Sequence, residues 1–190
     1  MSKVNPLIVI DMQPDFFWDL EEYWDSHVVP FVKRACLQVR KALRQNRPVL
    51  IVEMAYNETT FEDIRYEISP TWGSIKPIKK KCNDGGPDCI RELDRMGLDI
   101  GHVEVLGVNW DYCVAETVIT LSDRFPCKIL SSATANAFHP NLSWNSHDYV
   151  LRAPPKGDIK SVLSERPPEG HPAGWARILW RYTNKSIEVV

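Results

Sequence analysis

The apolar positions of this chain fall into short, unbroken runs that alternate with stretches of helical spacing. Leu7–Ile8–Val9–Ile10 and Val49–Leu50–Ile51–Val52 are β-branched runs of the first kind, as expected for strands buried on both faces of a parallel sheet. Between them, Val28, Phe31, Val32, Ala35, Cys36, Val39, Ala42 and Leu43 recur every three or four residues. Lys33, Arg34, Arg40 and Lys41 occupy the opposite face. This is a β–α–β unit, whose crossover is right-handed. Further on, Ser74–Lys79 predicts a short third strand, its Pro77 suited to a sheet edge or a strand end. Asp88–Met96 predicts a helix stopped by Gly97. Val103–Val108 predicts a fourth strand, Tyr112 to Phe125 an apolar helix, Lys128–Leu130 a fifth strand and Asp148–Leu151 a sixth.

Alternation of strands and helices at these lengths predicts an α/β fold. The expectation is one domain over 1–152, with a doubly wound, mostly parallel six-stranded sheet flanked by helices, Rossmann-like in plan. Residues 153–190 form a proline-rich C-terminal extension, packed on the same domain or on a neighbouring subunit. Its end carries alternating apolar residues, Ile178, Trp180 and Tyr182, that suit a hairpin or strand.

Composition narrows the function. At 190 residues and 44% hydrophobic content, the chain can bury a full core without disulfides or metals. A formal net charge of −2 lacks the basic surplus of a nucleic-acid binder. No apolar run approaches the ~20 residues of a membrane span, and the first residues lack the pattern of a signal peptide. Five cysteines, an odd number without a CxxC pair, fit reduced thiols in a cytoplasmic protein. The partner expected is therefore a small-molecule substrate, with no nucleic acid and no membrane.

In an open parallel sheet, ligands bind outside the carboxyl ends of the strands. Asp11 ends the first strand, Lys79–Lys80–Lys81 end the third, and Cys113 follows the fourth at the turn into a helix. A carboxylate can take a thiol proton, and an ammonium and a helix N-terminus both stabilise the thiolate. Backbone N–H groups at the helix start can bind an oxyanion. Such a set suits acyl transfer through a thioester. Taken singly, Asp11 could be a turn cap, Cys113 a small core residue and the lysines a solvated edge; their joint placement on three strand ends favours chemistry.

Three stretches resemble the isochorismatase-like cysteine hydrolases, the group of nicotinamidases, carbamoylsarcosine amidases and ureidoacrylate-type amidases. They are Leu7–Phe17 with Asp11, Ile78–Lys81, and Gly107–Thr117 with Cys113. The resemblance implies Asp11 as general base, Cys113 as nucleophile and a lysine beside the thiolate. Lys79, which directly follows Ile78, is favoured, with Lys80 and Lys81 open. It further implies a cis peptide at Val108–Asn109, so that backbone near Asn109 and Cys113 faces the oxyanion. It also contributes, with the aromatic content, to the expectation of a homo-oligomer. The lysine run is followed by Asn83–Asp84–Gly85–Gly86, where the family usually has a small residue and a phenylalanine. Glu53–Met54–Ala55–Tyr56 stands where metal-dependent nicotinamidases carry an Asp and two His. No metal and no cofactor are therefore expected.

The reaction implied is metal-independent hydrolysis of a C–N bond in a small amide or carbamoyl compound. Isochorismatase-type vinyl-ether hydrolysis, which does not need the thiol, and a non-catalytic binding protein on the same fold are the alternatives. Gln13, Phe16, Phe17, Trp72 and Tyr112 are candidate substrate-binding residues; the aromatics among them could equally be packing.

Overall fold

A computed structural model describes residues 3–68, 76–137, 151–152, 157–158 and 187–190. The apolar runs pair as their composition predicts. Strand β1 (Leu7–Ile10) lies between β2 (Val49–Met54) and β4 (Val103–Val108), parallel to both. Strand β3 (Ile78–Lys80) flanks β2, and β5 (Cys127–Ala137) flanks β4, again in parallel. Helix α1 (Val29–Arg44) makes the first crossover and α2 (Glu62–Ile68) follows β2. Helix α3 (Gly86–Met96) and helix α4 (Ala115–Ser122) follow β3 and β4.

Alternation along the strands sends side chains to two separate cores. Leu7, Val9, Val49 and Ile51 pack against α1 and α2 with Phe31, Val32, Val39 and Ile64. Ile8, Ile10, Leu50 and Val52 pack on the other face with Leu93 of α3 and Val118 and Leu121 of α4. Helix α1 begins one residue after the first of its periodic positions, Val28, and ends one residue after the last, Leu43. Gly97 stops α3 in the left-handed region, at φ 64°.

Two differences from the sequence expectation concern the sheet. Leu151–Arg152 forms strand β6, but it pairs antiparallel with the far end of β5 and is not the sixth parallel strand. That place belongs to β8 (Ile187–Val189), from the end of the extension, which pairs parallel with Cys127–Ile129. Strand β7 (Gly157–Asp158) closes the edge in antiparallel pairing with β8. The sheet order is β3-β2-β1-β4-β5-β8-β7. The physical reason is the burial of Ile187 and Val189, which supply the inward apolar pair that the outer edge of β5 needs. Among the described residues, no helix is long and apolar enough to cross a membrane.

Strands β1 and β4 approach each other unusually closely at their carboxyl ends. Gly107 has φ 150°, and a Cβ there would stand 2.1 Å from the Ile10 carbonyl oxygen. Any side chain would force the strands apart just before both chains turn into the candidate site.

Candidate active site

The carboxyl ends of β1, β3 and β4 converge. Asp11 leaves β1 with φ 52°, a left-handed conformation that ends the strand. Its amide still donates to the Val52 carbonyl at 2.9 Å, so the turn stays anchored to β2. The Asp11 side chain is fully buried. Lys80, also buried, places Nζ 2.7 Å from Asp11 Oδ2. The same ammonium donates to the carbonyls of Cys82 and Asn83, each at 3.2 Å. Two carbonyls and the ion pair with Asp11 thus fix the charge in place.

Cys113 sits in a single π-helical turn, Trp110–Val114, that leads into α4. Asn109, before that turn, is left-handed at φ 59° and ψ 61°, and its carbonyl accepts the amides of Tyr112 and Val114. The buried Cys113 thiol lies close enough to Asp11 and Lys80 for both to act on it electrostatically. It also lies 3.6 Å from Asn83 Oδ1. Acid, cation and thiol therefore meet in one buried cluster built from three strand ends.

The lysine of that cluster is Lys80, and the sequence preference for Lys79 is corrected by the geometry. An extended strand alternates, so the residue directly after Ile78 faces away from it, and Lys80 shares its face. Lys79 is half exposed and pairs instead with Glu53 of β2 at 2.6 Å. Glu53 is buried and also accepts the Thr60 amide and hydroxyl, each at 2.7 Å. It ties the loop after β2 to the sheet. Among the described residues, no group of three or more His, Cys, Asp or Glu side chains is placed to hold a metal ion.

The other candidates divide. Gln13 is a clamp: it accepts the Met54 amide at 2.8 Å and donates to the Met54 carbonyl at 3.1 Å and to that of Glu58. It fixes the loop beside Asp11, with both hydrogens of its amide nitrogen committed. Phe17 is fully buried, with ring centroids 6.0 Å from Phe31 and 5.3 Å from Phe61, so it belongs to the core rather than to a pocket wall. Phe16 packs against the same core, and Tyr112 against the core of the opposite face. Val108 is buried at the end of β4. Trp72 lies outside the described residues.

Sequence reasoning passed over Asn83. Nothing in its spacing marks it; only its position in the segment that departs from the family's usual pattern does. Its carboxamide Nδ2 donates to Glu116 Oε1 at 3.2 Å, and its backbone carbonyl accepts Thr117 Oγ1 at 3.4 Å. The neighbouring Gly85 amide donates to Thr117 Oγ1 at 2.9 Å, and Thr120 Oγ1 donates to Asp84 at 2.7 Å. The loop after β3 is thereby bound along α4, directly over the thiol.

Burial dominates the electrostatics. It raises the Asp11 pKa above the ordinary aspartate value, an effect that the Lys80 ammonium opposes. Burial, with the Asp11 carboxylate adding to it, pushes the Cys113 thiol up to about 12 against the pull of Lys80. Burial thus favours the neutral thiol in the resting cluster.

No family model matches this sequence, and no curated protein matches it either. Solved structures do match in fold. The MAR1 ribonuclease of Caenorhabditis elegans aligns with a TM-score of 0.56 at 13% identity, over 97% of this chain and 94% of that one. The pyrazinamidase/nicotinamidase of Streptococcus mutans aligns with a TM-score of 0.56 at 17% identity, over 70% and 87%. The N-carbamoylsarcosine amidase of Thermoplasma acidophilum aligns with a TM-score of 0.52 at 18% identity, over 73% and 87%. Identities this low speak to architecture alone, and by that architecture the chain has the isochorismatase-like α/β fold.

Proposed function

We propose that the protein is a cysteine hydrolase that cleaves a C–N bond of a small amide or carbamoyl compound through a thioester. The observation that carries this reading is the buried contact of Asp11, Lys80 and Cys113. A raised Asp11 pKa makes the carboxylate a better proton acceptor for the thiol. Moving that proton leaves a neutral Asp11 beside a thiolate–ammonium pair, so the cluster's net charge stays at zero throughout. A low-dielectric site tolerates such a transfer far better than loss of the proton to water. The thiolate attacks the substrate carbonyl carbon, forming the C–S bond. Backbone N–H groups of the Asn109–Cys113 turn receive the oxyanion. As the C–N bond breaks, Asp11 returns the proton to the departing nitrogen, and water then cleaves the thioester to the acid. A vinyl-ether hydrolysis would leave this thiol without a task.

Against a panel of primary amides and carbamoyl compounds, Cys113→Ala and Asp11→Asn are each expected to lower kcat by about 10⁴-fold or more. Full turnover in either variant would sink the reading. The pH dependence follows from the same cluster. Asp11 must be ionised to accept the proton, so kcat/KM rises with pH through its raised pKa. The acid limb is expected above the ~3.9 of an ordinary aspartate, with a plateau on the alkaline side. A rate that instead climbed steadily with free-thiol ionisation would show that the proton leaves to solvent.

Two neighbours are described as MAR1 ribonucleases, and one of them aligns along nearly the whole chain. RNA hydrolysis is the second reading for that reason, and the net charge of −2 weighs against it. Cleavage of a single-stranded RNA that vanished in Cys113→Ala would place it first.

A further inference from the structure

The Cys113 thiol has one hydrogen and two oxygen-bearing neighbours. One is the Asp11 carboxylate, which receives the proton during the proposed reaction. The other is Asn83 Oδ1, 3.6 Å from Sγ on the loop after β3. Only one orientation of the Asn83 carboxamide satisfies its surroundings, because Nδ2 donates to Glu116 Oε1 at 3.2 Å. Glu116 therefore turns the carbonyl oxygen, and not the amide nitrogen, toward the sulfur. The same residue's backbone carbonyl holds the Lys80 ammonium at 3.2 Å and the Thr117 hydroxyl at 3.4 Å. Asn83 thus touches two members of the cluster and is itself braced from α4 at two points.

We propose that Asn83, oriented by Glu116, is a positioning residue that holds Cys113 as the protonated thiol until a substrate arrives. This rests on the reading of Cys113 as the nucleophile. A carbonyl oxygen accepts from the neutral thiol and repels the thiolate, so it opposes ionisation. The charged groups facing the sulfur are Asp11 from β1 and Lys80 from β3; Glu116 of α4 acts on it through Asn83. An unbraced carboxamide can turn its NH₂ toward the sulfur, where it stabilises the thiolate. Glu116 is in this sense a lock on the resting state, set by the direction in which one amide faces.

The test is the rate of Cys113 alkylation by iodoacetamide, read by peptide mass spectrometry at a mildly alkaline pH where carboxylates are ionised. Two near-isosteric variants leave access to the sulfur unchanged. Glu116→Gln frees the carboxamide to turn, and is expected to speed alkylation about fivefold, the worth of one neutral hydrogen bond. Asn83→Asp puts a carboxylate against the sulfur, and is expected to slow it by a similar factor. A change in the same direction in both variants, or no change in either, overturns the proposal. A purely structural role gives that common direction. Alkylation needs no substrate, so its outcome is separate from the amide-turnover test of Cys113→Ala. The positioning role can fail while the hydrolase reading stands, and the reverse.

Discussion

Lys80→Met is expected to lower kcat on an amide substrate by about 10³-fold, while Lys79→Met leaves turnover per folded molecule near that of the unaltered protein. The two lysines are adjacent, carry the same charge and differ only in the face of β3 they occupy. Lys80 is enclosed, paired with Asp11 and hydrogen-bonded to the carbonyls of Cys82 and Asn83. Methionine matches its length but removes the cation that keeps a buried carboxylate ionised. Asp11 then holds its proton and cannot accept another. The thiolate also loses its counter-charge, so Cys113 alkylation slows together with turnover. Lys79 is half exposed, and its partner Glu53 keeps two bonds to Thr60. Losing Lys79 is expected to cost stability, about 1–2 kcal/mol by chemical denaturation, rather than rate. The reverse result, with activity lost in Lys79→Met and kept in Lys80→Met, would remove Lys80 from the mechanism.

Gly107→Ala is expected to destabilise the fold by about 3 kcal/mol or more, a large part of the stability of an ordinary domain. Its Cβ would overlap the Ile10 carbonyl oxygen at 2.1 Å and the carbonyl carbon at 2.9 Å, and φ 150° disfavours any side chain. The obstacle is backbone, so no rotamer change relieves it. Gly97→Ala is the control. Gly97 also has positive φ, but nothing lies within 4 Å of the added carbon. Its expected cost is about 1 kcal/mol, the ordinary penalty of a left-handed alanine. Urea midpoints, or soluble yield if the first variant does not fold, separate the two. Equal costs would mean that the β1–β4 approach relaxes more readily than its geometry implies. Should a little folded Gly107→Ala be recovered, its activity is expected to suffer too. The same approach sets the spacing of Asp11 from the Asn109–Cys113 turn.

What could be read from the residues alone follows from the range of the interactions involved. Strands β1, β2 and β4 announce themselves because each is buried on both faces and is apolar throughout. Helix α1 does so through its long periodic stripe. Asp11 and Cys113 follow from those elements, since a strand end is visible wherever an apolar run stops. Lys80 does not follow, because β3 is three residues long with charged residues at two of them. A run of three lysines carries no parity signal until a neighbour fixes one. That neighbour is β2, which pairs Glu53 with Lys79 and Met54 with Lys80. Phe17 reads equally well as pocket or core until Phe31 and Phe61 are placed around it. Asn83 matters through Glu116 and Cys113, both distant in sequence, and polar contacts of that kind leave no periodic trace.

Strand β8 has a kinetic consequence. The amide of Ser131 and its hydroxyl both donate to the carbonyl of Val190, 59 residues away. During synthesis, the outer edge of β5 therefore emerges long before the segment that pairs with it. Until then it is a bare row of peptide groups beside an apolar face, the kind of edge on which nascent chains associate with one another. Closing a loop of that length comes late and carries the entropy of the whole intervening stretch. Strands β1, β3 and β4, whose ends carry Asp11, Lys80 and Cys113, need none of it, so they can assemble while β5 still waits. Shortened nascent chains halted before residue 187 are accordingly expected to draw chaperones to β5 rather than to the carboxyl ends of β1, β3 and β4.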